Sequence, residues 1–361
     1  MPDQEDILRY ERRLMRRIIN QDSKVQEIFN GFISKTAPSL ARYKEVRPGK
    51  IWYRNSSIEK AIEKELVALQ GELHSYLLSE EAAAWRLANT KTNRMVSNYV
   101  KGMSISNVVR DGLFSRNLES LQAFQQRKVG NLDPSGRIWK AVEQTKENLE
   151  FYLQSGISEG RSAATVSQDV RNLLNNPDAR FRRIRDPRTG KLKPSRPMAA
   201  YHPGQGVYRS AFKNALRMIR TETNAAYRIS DQVRWQQLEF VTGYEIRLSN
   251  AHPVVDICDS MTGLYPKGFI FDGWHPQCFC YMVPANLPAE QFVAHLKGKA
   301  IPDSAYVSTL PQRAKSYIRS NSAKLKKYTT KPNWLKVNFD YKNGRYIPVN
   351  AGKLTTEKLT V

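Results

Sequence analysis

Cysteine is scarce in this chain, which has three cysteines among 361 residues. Such a low content excludes a disulfide scaffold and indicates synthesis in a reducing compartment. Long apolar runs are also missing: nowhere do about 18 apolar residues follow one another, and we therefore expect no membrane-spanning helix. The N-terminal sequence MPDQEDILRYERR is charged and has no apolar segment, which argues against a secretory signal peptide.

Acidic residues are too few to balance the basic ones. Lysine and arginine number 57 against 34 aspartates and glutamates, which gives a net charge of +23. A surplus of this size favours a polyanionic partner, usually nucleic acid, over the alternative of a lysine-rich surface that only confers solubility. We expect no sequence-specific reading of DNA, because the chain has no zinc-finger, basic-zipper or RNA-recognition signature.

The apolar pattern divides the chain into three consecutive stretches, and the first, residues 1–150, is typical of long helices. The first helix should end at Ala37-Pro38, because proline disfavours a helical residue before it. A second helix should open at Ser56, which has the capping-box spacing with Glu59. Two more helical patterns cover 94–109 and 138–153. The helices could form a bundle or an arm that docks on a partner, and both interpretations stay open.

The second stretch, residues 151–290, predicts a small α+β module. A helical pattern covers 208–237, the β-formers of 241–248 predict a strand, and short strands are expected at 269–271 and 281–283. Residues 180–206 are basic and rich in proline and glycine, which predicts an exposed loop. This loop is either a solvated insertion or, as the net charge favours, a DNA-contacting segment. Its candidate phosphate-binding side chains are Arg182, Arg183, Arg185, Arg188, Lys191 and Lys193.

The third stretch, residues 291–361, is a basic C-terminal extension in which only Asp303, Asp340 and Glu357 oppose the lysines and arginines. A helical pattern covers 311–328, and a hairpin of 334–339 and 345–349 is expected around the turn Asn343-Gly344. Charge of one sign favours an arm for DNA or a partner over a flexible tail. The predicted fold class is α+β and predominantly helical, with long N-terminal helices, the small α+β module and this extension.

The cysteines lie close together, and two of the five histidines accompany them. Zinc takes thiolate and imidazole ligands, four of them in a structural site. The predicted ligands are Cys258, His275, Cys278 and Cys280, with His252 as an alternate. Their spacing, C-x16-H-x2-C-x-C, differs from that of zinc fingers. Buried, inert cysteines beside a hydrogen-bonded histidine are the alternative interpretation.

Catalysis by this cluster has little support. A nucleobase deaminase would need a His-x-Glu and a Pro-Cys-x-x-Cys, and neither occurs. A cysteine nucleophile beside His275, or an acid–base pair of Asp256 and Asp259, lacks a supporting motif. We therefore do not expect an enzyme. Two rivals stay open: a metal-dependent nuclease or hydrolase that uses His252, Asp256 and His275, and a stand-alone DNA-binding protein.

Residues 151–284 resemble a known family, the phage Mu F-like head morphogenesis proteins, also called minor head or minor capsid proteins. The likeness rests on motifs in a specific order: a Gly-Ile-x-x-Gly-x-Ser turn at 156–162, Arg220-Thr221-Glu222, Asp256-Ile-Cys258-Asp259, and His275-Pro-x-Cys278-x-Cys280. The chain departs from the family at Phe279, where many members have arginine, and at Val255, where some have cysteine. The missing thiol makes His252 or His275 necessary to complete four ligands.

This resemblance implies an accessory protein that acts in head (procapsid) morphogenesis. Its partners would be the portal protein, capsid or scaffolding proteins, and DNA through non-specific phosphate contacts, with no membrane. It would lie in the virion head interior, and in the host cytoplasm during assembly. The cysteines would hold a structural zinc, and we expect Glu222 to form a buried ion pair with an arginine.

Overall fold

The structure is a computed structural model that describes residues 4–41, 56–129, 131–158, 183–194, 210–250, 252 and 254–349. Within these residues the protein is α+β and predominantly helical, as predicted. The chain divides into two compact units. The first unit comprises Met1–Ile18, Leu78–Asn131 and Arg220–Val361, and the second comprises Ile19–Leu77 and Leu132–Ile219. These units interleave along the chain, and the functional roles of the three consecutive stretches stay predictions.

Two long helices open the chain, as the apolar pattern predicts: α1 (Gln4–Ala41) and α2 (Ser56–Tyr99). The predicted end of the first helix at Ala37-Pro38 is wrong, because α1 continues through Pro38. Leu40 lies beyond the proline and is fully buried in the core of the second unit. Its burial offsets the hydrogen bond that proline cannot donate.

The single helix predicted over 94–109 is also wrong, because Arg94 to Tyr99 end α2. A separate helix, α3 (Asn107–Leu113), begins after Ser106, whose hydroxyl accepts a hydrogen bond from the Val109 amide. An N-cap of this kind starts a new helix rather than continuing an old one. The short helix α4 (Leu118–Gln126) follows.

The second unit has an apolar core built by helices alone. It unites buried residues of α1, α2, α5 (Pro134–Ser158) and the beginning of α6 (Ala211–Gln237). Phe29 and Phe212 meet edge to face, with ring centroids 5.8 Å apart. The patterns at 138–153 and 208–237 are therefore confirmed as helices, and parts of both contribute to this core.

Part of the predicted basic loop is a hairpin. Strands β1 (Arg183–Arg185) and β2 (Leu192–Pro194) pair antiparallel, with Ile184 opposite Lys193. The Asp186 carboxylate accepts the amides of Arg188 at 2.8 Å and Thr189 at 3.2 Å, which closes the turn. Residues 183–194 thus form a hairpin rather than a loop without strands, and Arg185 and 187–191 are exposed as predicted. The rest of 180–206 and the end of the predicted turn at 156–162 lie outside the described residues.

The first unit contains a three-stranded antiparallel sheet. Strand β3 (Val241–Arg247) lies between β4 (Gly263–Pro266) and β5 (Tyr281–Asn286), which confirms the strands predicted at 241–248 and 281–283. The short helix α7 (Ile257–Ser260) lies between β3 and β4 in the sequence. Gly243 in the central strand leaves no room for a side chain, since a Cβ there would lie 2.6 Å from Val307 Cγ2 and 2.7 Å from the Tyr265 carbonyl.

The described part of the C-terminal stretch is folded into the first unit. It forms α8 (Ala289–Leu296), α9 (Gln312–Lys326), α10 (Asn333–Asn338), β6 (Phe339–Lys342) and β7 (Arg345–Pro348). The helix predicted over 311–328 and the Asn343-Gly344 turn, with positive φ at both residues, are confirmed. The strand predicted from Trp334 is wrong, because Trp334 and Leu335 belong to α10 and are fully buried. None of the described helices has the length and apolar character needed to cross a membrane.

Candidate metal centre

The fold brings all three cysteines of the first unit to one point. Cys258 lies on α7 (Ile257–Ser260), Cys278 follows a turn after β4, and Cys280 directly precedes β5. All three are buried and none forms a disulfide. Their sulfur atoms lie within 4.8 Å of one another. The cluster could therefore hold a metal ion.

The distance between two of the sulfurs fits a tetrahedral thiolate site. The Sγ atoms of Cys258 and Cys278 are 3.7 Å apart. A Zn–S bond of about 2.3 Å gives a sulfur–sulfur distance of about 3.8 Å in a regular tetrahedron. The two thiols are thus already as far apart as two ligands of one zinc ion would be.

His275 directs a ring nitrogen at this cluster. Its Nδ1 lies 2.8 Å from the carbonyl oxygen of Pro276. Because a carbonyl only accepts, Nδ1 carries a proton, and Nε2 of the neutral ring then has a lone pair. That Nε2 is 3.1 Å from Cys258 Sγ and 3.1 Å from Asp256 Oδ2. The lone pair can accept the thiol proton of Cys258 or, once that proton is lost, ligate a metal ion together with the sulfur.

Asp256 and Asp259 form a reciprocal cap that positions Cys258. The Asp256 carboxylate accepts the Cys258 amide at 2.7 Å, and the Asp259 carboxylate accepts the Asp256 amide at 2.8 Å. The Asp256 amide lowers the pKa of Asp259, with a further contribution from His252. This capping box explains why four residues suffice for a helical turn at this point.

His252 lies beside the two aspartates, and its side chain is less exposed than that of His275. Its Nε2 is 3.0 Å from Asp259 Oδ2 and 3.7 Å from Asp256 Oδ1. Together with Asp256 and Cys258 it forms a second group whose ligand atoms lie within 4.8 Å of one another. The structure thus places His252 beside Cys258, as an alternate ligand requires, and adds Asp256 as an oxygen donor.

The thiols share their protons unequally. Hydrogen bonds from Cys258 and Cys280 lower the pKa of Cys278 well below that of a free thiol, and the nearby Arg228 guanidinium acts in the same direction. The hydrogen bond to Cys278 in turn raises the pKa of Cys258. Since thiolate is the form that ligates metal, the lowered pKa of Cys278 favours ligation by this residue.

Residues 267–280, between β4 and β5, carry Cys278 and Cys280, and we call them the cysteine loop. Arg228 on α6, which the sequence alone did not indicate, donates hydrogen bonds to this loop. Its Nε and a terminal nitrogen donate to the Cys280 carbonyl at 3.2 and 2.8 Å, and its NH1 donates to the Asp272 carbonyl at 2.8 Å. A further hydrogen bond reaches the Cys278 carbonyl. Arg228 is only 4% exposed. An arginine on the buried side of an amphipathic helix was the available sequence signal.

The strand predicted at 269–271 is wrong, and two side-chain amides explain why. Gln232 accepts the Phe271 amide at 3.0 Å and donates to its carbonyl at 2.5 Å. Asn338 accepts the Ile270 amide at 2.8 Å and donates to its carbonyl at 2.7 Å. These amides satisfy the backbone groups that a neighbouring strand would otherwise pair.

The Arg220-Thr221-Glu222 motif lies on α6, close to the cysteine loop. Thr221 Oγ1 accepts the Gln277 amide at 3.1 Å, and Gln277 has a positive φ of 58° in the turn between His275 and Cys278. Glu222 forms a buried ion pair with Arg127, which confirms the expected partner type. Thr221 and Glu222 therefore support the loop and the helix behind it.

The candidate phosphate-binding residues belong to the second unit. Arg185, Arg188 and Lys191 are exposed on the β1–β2 hairpin. The side chains of Arg183 and Lys193, and all of Arg182, lie outside the described part of the structure. Their contact with DNA stays a prediction.

Comparison with protein-family models, with curated proteins and with solved structures gives no match for this chain.

Proposed function

We propose that this protein is a minor head protein of a tailed phage or prophage, and that it acts in procapsid morphogenesis as a portal-associated structural component. The observation that carries the proposal is the meeting of three motifs that are separate in the sequence. Thr221 contacts the loop amide of Gln277, while Asp256 and Cys258 contact His275. The motifs that occur in the order typical of the family are therefore also in contact with one another in the folded chain.

Within this function, the cysteine loop holds a structural zinc ion. Its ligands are Cys258, Cys278, Cys280 and His275, with His252 as the alternate. Support comes from the 3.7 Å distance between the Cys258 and Cys278 sulfurs, which suits two ligands of one zinc ion, and from His275 Nε2, which lies 3.1 Å from Cys258 Sγ. Bound zinc would contribute folding free energy to a region that has short strands and few regular hydrogen bonds.

A structural role is favoured over an enzymatic one. The three thiols are buried, with Cys258 fully inaccessible, so they suit ligation better than attack on a substrate. The metal-dependent hydrolase is the second candidate, because the side chains of Asp256 and His275 are 31% and 34% exposed beside the cluster. It predicts turnover of nucleic acid or ester substrates that the substitution Asp256→Asn abolishes.

The partners and the location of the protein follow from the same family resemblance. The portal protein, with capsid or scaffolding proteins, is the direct partner, and DNA is contacted through phosphates without sequence preference. The site of action is the head interior, reached from the host cytoplasm during assembly. The net charge of +23 supports this, because packaged DNA surrounds proteins of that compartment with phosphate.

The decisive experiment is co-expression with the cognate portal protein, followed by size exclusion in moderate salt with nuclease present. Co-elution with the portal ring is the expected result, and separate elution of two intact proteins overturns direct portal association. Metal content of the same purified protein, measured by mass spectrometry, should approach one zinc per chain. Full stability in chelator without any bound metal would overturn the zinc assignment.

A further inference from the structure

A row of arginines covers the solvent side of the first helix. Arg9, Arg12, Arg13 and Arg16 are all exposed, and they follow the spacing i, i+3, i+4 and i+7 that gathers side chains on one face. The opposite face of the same segment is buried in the first unit. Its core residues are Ile7, Tyr10, Leu14 and Ile18. We call the four arginines the α1 stripe.

The α1 stripe is positively charged, and Glu5 and Asp6 line the same surface as its four arginines. The neighbouring Arg17 pairs with Glu80, and Arg94 pairs with Asp6, but none of the four stripe arginines forms an ion pair within the described part of the chain. Arg12 donates only to the Leu8 carbonyl at 3.3 Å, and the Arg13 guanidinium lies over the Tyr10 ring. Four guanidinium groups therefore face solvent together.

The stripe fits a sugar–phosphate backbone in size and chemistry. Seven residues separate its ends, a distance of about 10 Å along the helix. Over that length one strand of duplex DNA presents about three phosphates. Guanidinium groups suit phosphate oxygens because they donate two parallel hydrogen bonds.

An acidic protein surface is the competing partner, and the stripe lacks what such an interface needs. Protein–protein interfaces bury aromatic or aliphatic anchors at their centre. No aromatic or aliphatic residue lies between Arg9 and Arg16 on the exposed face, since the apolar residues of this segment point to the core or its edge. Interfaces with nucleic acid are polar and positively charged throughout.

We infer that the α1 stripe is a binding surface for the phosphate backbone of duplex nucleic acid. The inference deepens the DNA contact of the proposed function and places it on a rigid helix of the first unit. It can fail while portal association holds, because the two are measured separately.

The test uses the full chain and a fluorescent 30-base-pair duplex, with anisotropy measured over a range of salt. The variant R9Q/R12Q/R13Q/R16Q is compared with K60Q/K64Q/R86Q/K140Q, which removes the same charge from exposed helical positions outside the stripe. We expect the stripe variant to weaken binding by about tenfold or more, and to reduce the log–log salt slope by about 0.9 for each phosphate that the helix no longer neutralises. The control variant should change affinity by less than about threefold.

Equal losses in the two variants would show that only net charge matters, and would overturn the inference, as would unchanged binding in both. A second probe, fluorescent poly-glutamate, distinguishes DNA from an acidic protein. If its binding depends on the stripe as strongly as DNA binding does, the surface is a general anion site and the nucleic-acid assignment fails. The variant R9K/R12K/R13K/R16K keeps the charge but loses the two-pronged geometry, and should bind DNA with intermediate affinity. Circular dichroism and gel filtration establish that each variant is folded.

Discussion

Arg228 and Gly273 are fitted to each other. The Arg228 NH1 that donates to the Asp272 carbonyl would lie 2.8 Å from a Cβ atom at position 273. Gly273 also has a φ of 133°, a conformation that side chains rarely adopt. The glycine thus lets the guanidinium reach three carbonyl groups of the loop that carries Cys278 and Cys280.

The substitution Gly273→Ala tests this fit. It should lower the free energy of unfolding by about 2–4 kcal/mol, because the alanine adds backbone strain and displaces the guanidinium. The control is Gly298→Ala, where φ is 93° but no other atom lies within 4 Å of the added Cβ. That control should cost about 1 kcal/mol. Urea denaturation measures the free energy of unfolding of both variants. If Gly273→Ala and Gly298→Ala lost the same amount, backbone strain alone would account for the effect, and displacement of Arg228 would contribute nothing.

Arg228→Gln should destabilise the cysteine loop more than any exposed arginine substitution does. Each carbonyl that loses its buried donor costs about 1–3 kcal/mol, so we expect a total of about 3–5 kcal/mol. Arg313→Gln, on the exposed side of α9, should cost less than about 0.5 kcal/mol. Metal content should fall in the first variant alone. If Arg228→Gln kept full stability and its metal, Arg228 would not be needed to stabilise the cysteine loop.

Cys278→Ser should remove the bound metal and lower the melting temperature of the protein. The hydroxyl is a poor zinc ligand, and the thiol of Cys278 is the one most readily ionised in the cluster. Metal retention by the wild-type protein should also decrease as the pH falls, since protons compete with the metal for thiolate and imidazole. Calorimetry with and without chelator measures both effects. A chelator-insensitive wild type would remove the basis of this prediction.

Asn338→Asp should cost about 2–4 kcal/mol although it is isosteric. The Asn338 amide nitrogen donates to the Ile270 carbonyl at 2.7 Å and to the Trp334 carbonyl at 2.8 Å, and a carboxylate would oppose both. Lowering the pH should recover part of the loss, because a protonated aspartate can again donate to one carbonyl. A loss that does not depend on pH would indicate that steric packing alone matters at this position.

Glu222 and Arg127 should show strong coupling in a double-mutant cycle. Either substitution, Glu222→Gln or Arg127→Met, leaves one buried charge without its partner, and we expect each to cost about 3–5 kcal/mol. The double variant should cost clearly less than the sum. Additive losses would show that the two side chains do not stabilise each other.

The helical framework could be predicted because its signals are local. Apolar residues at helical spacing identified α1, α2, α5, α6 and α9, and the Asn343-Gly344 pair identified the turn of the last hairpin. Local signals failed where a distant residue decided the outcome. The burial of Leu40 favours continuation of α1 beyond Pro38. The side-chain amides of Gln232 and Asn338 bind the backbone of 270–271 in place of a neighbouring strand.

The residues that could bind a metal are evident from composition, since only three cysteines are present and two of the five histidines flank them. The folded chain is needed to see that Cys258 meets residues 17 and 20 positions away, with His275 Nε2 at 3.1 Å and Cys278 Sγ at 3.7 Å. It also revealed Arg228 and Asp256 as part of the same site. The physical reason is that ligand type is a property of a side chain, whereas convergence depends on packing between α6, α7 and the sheet.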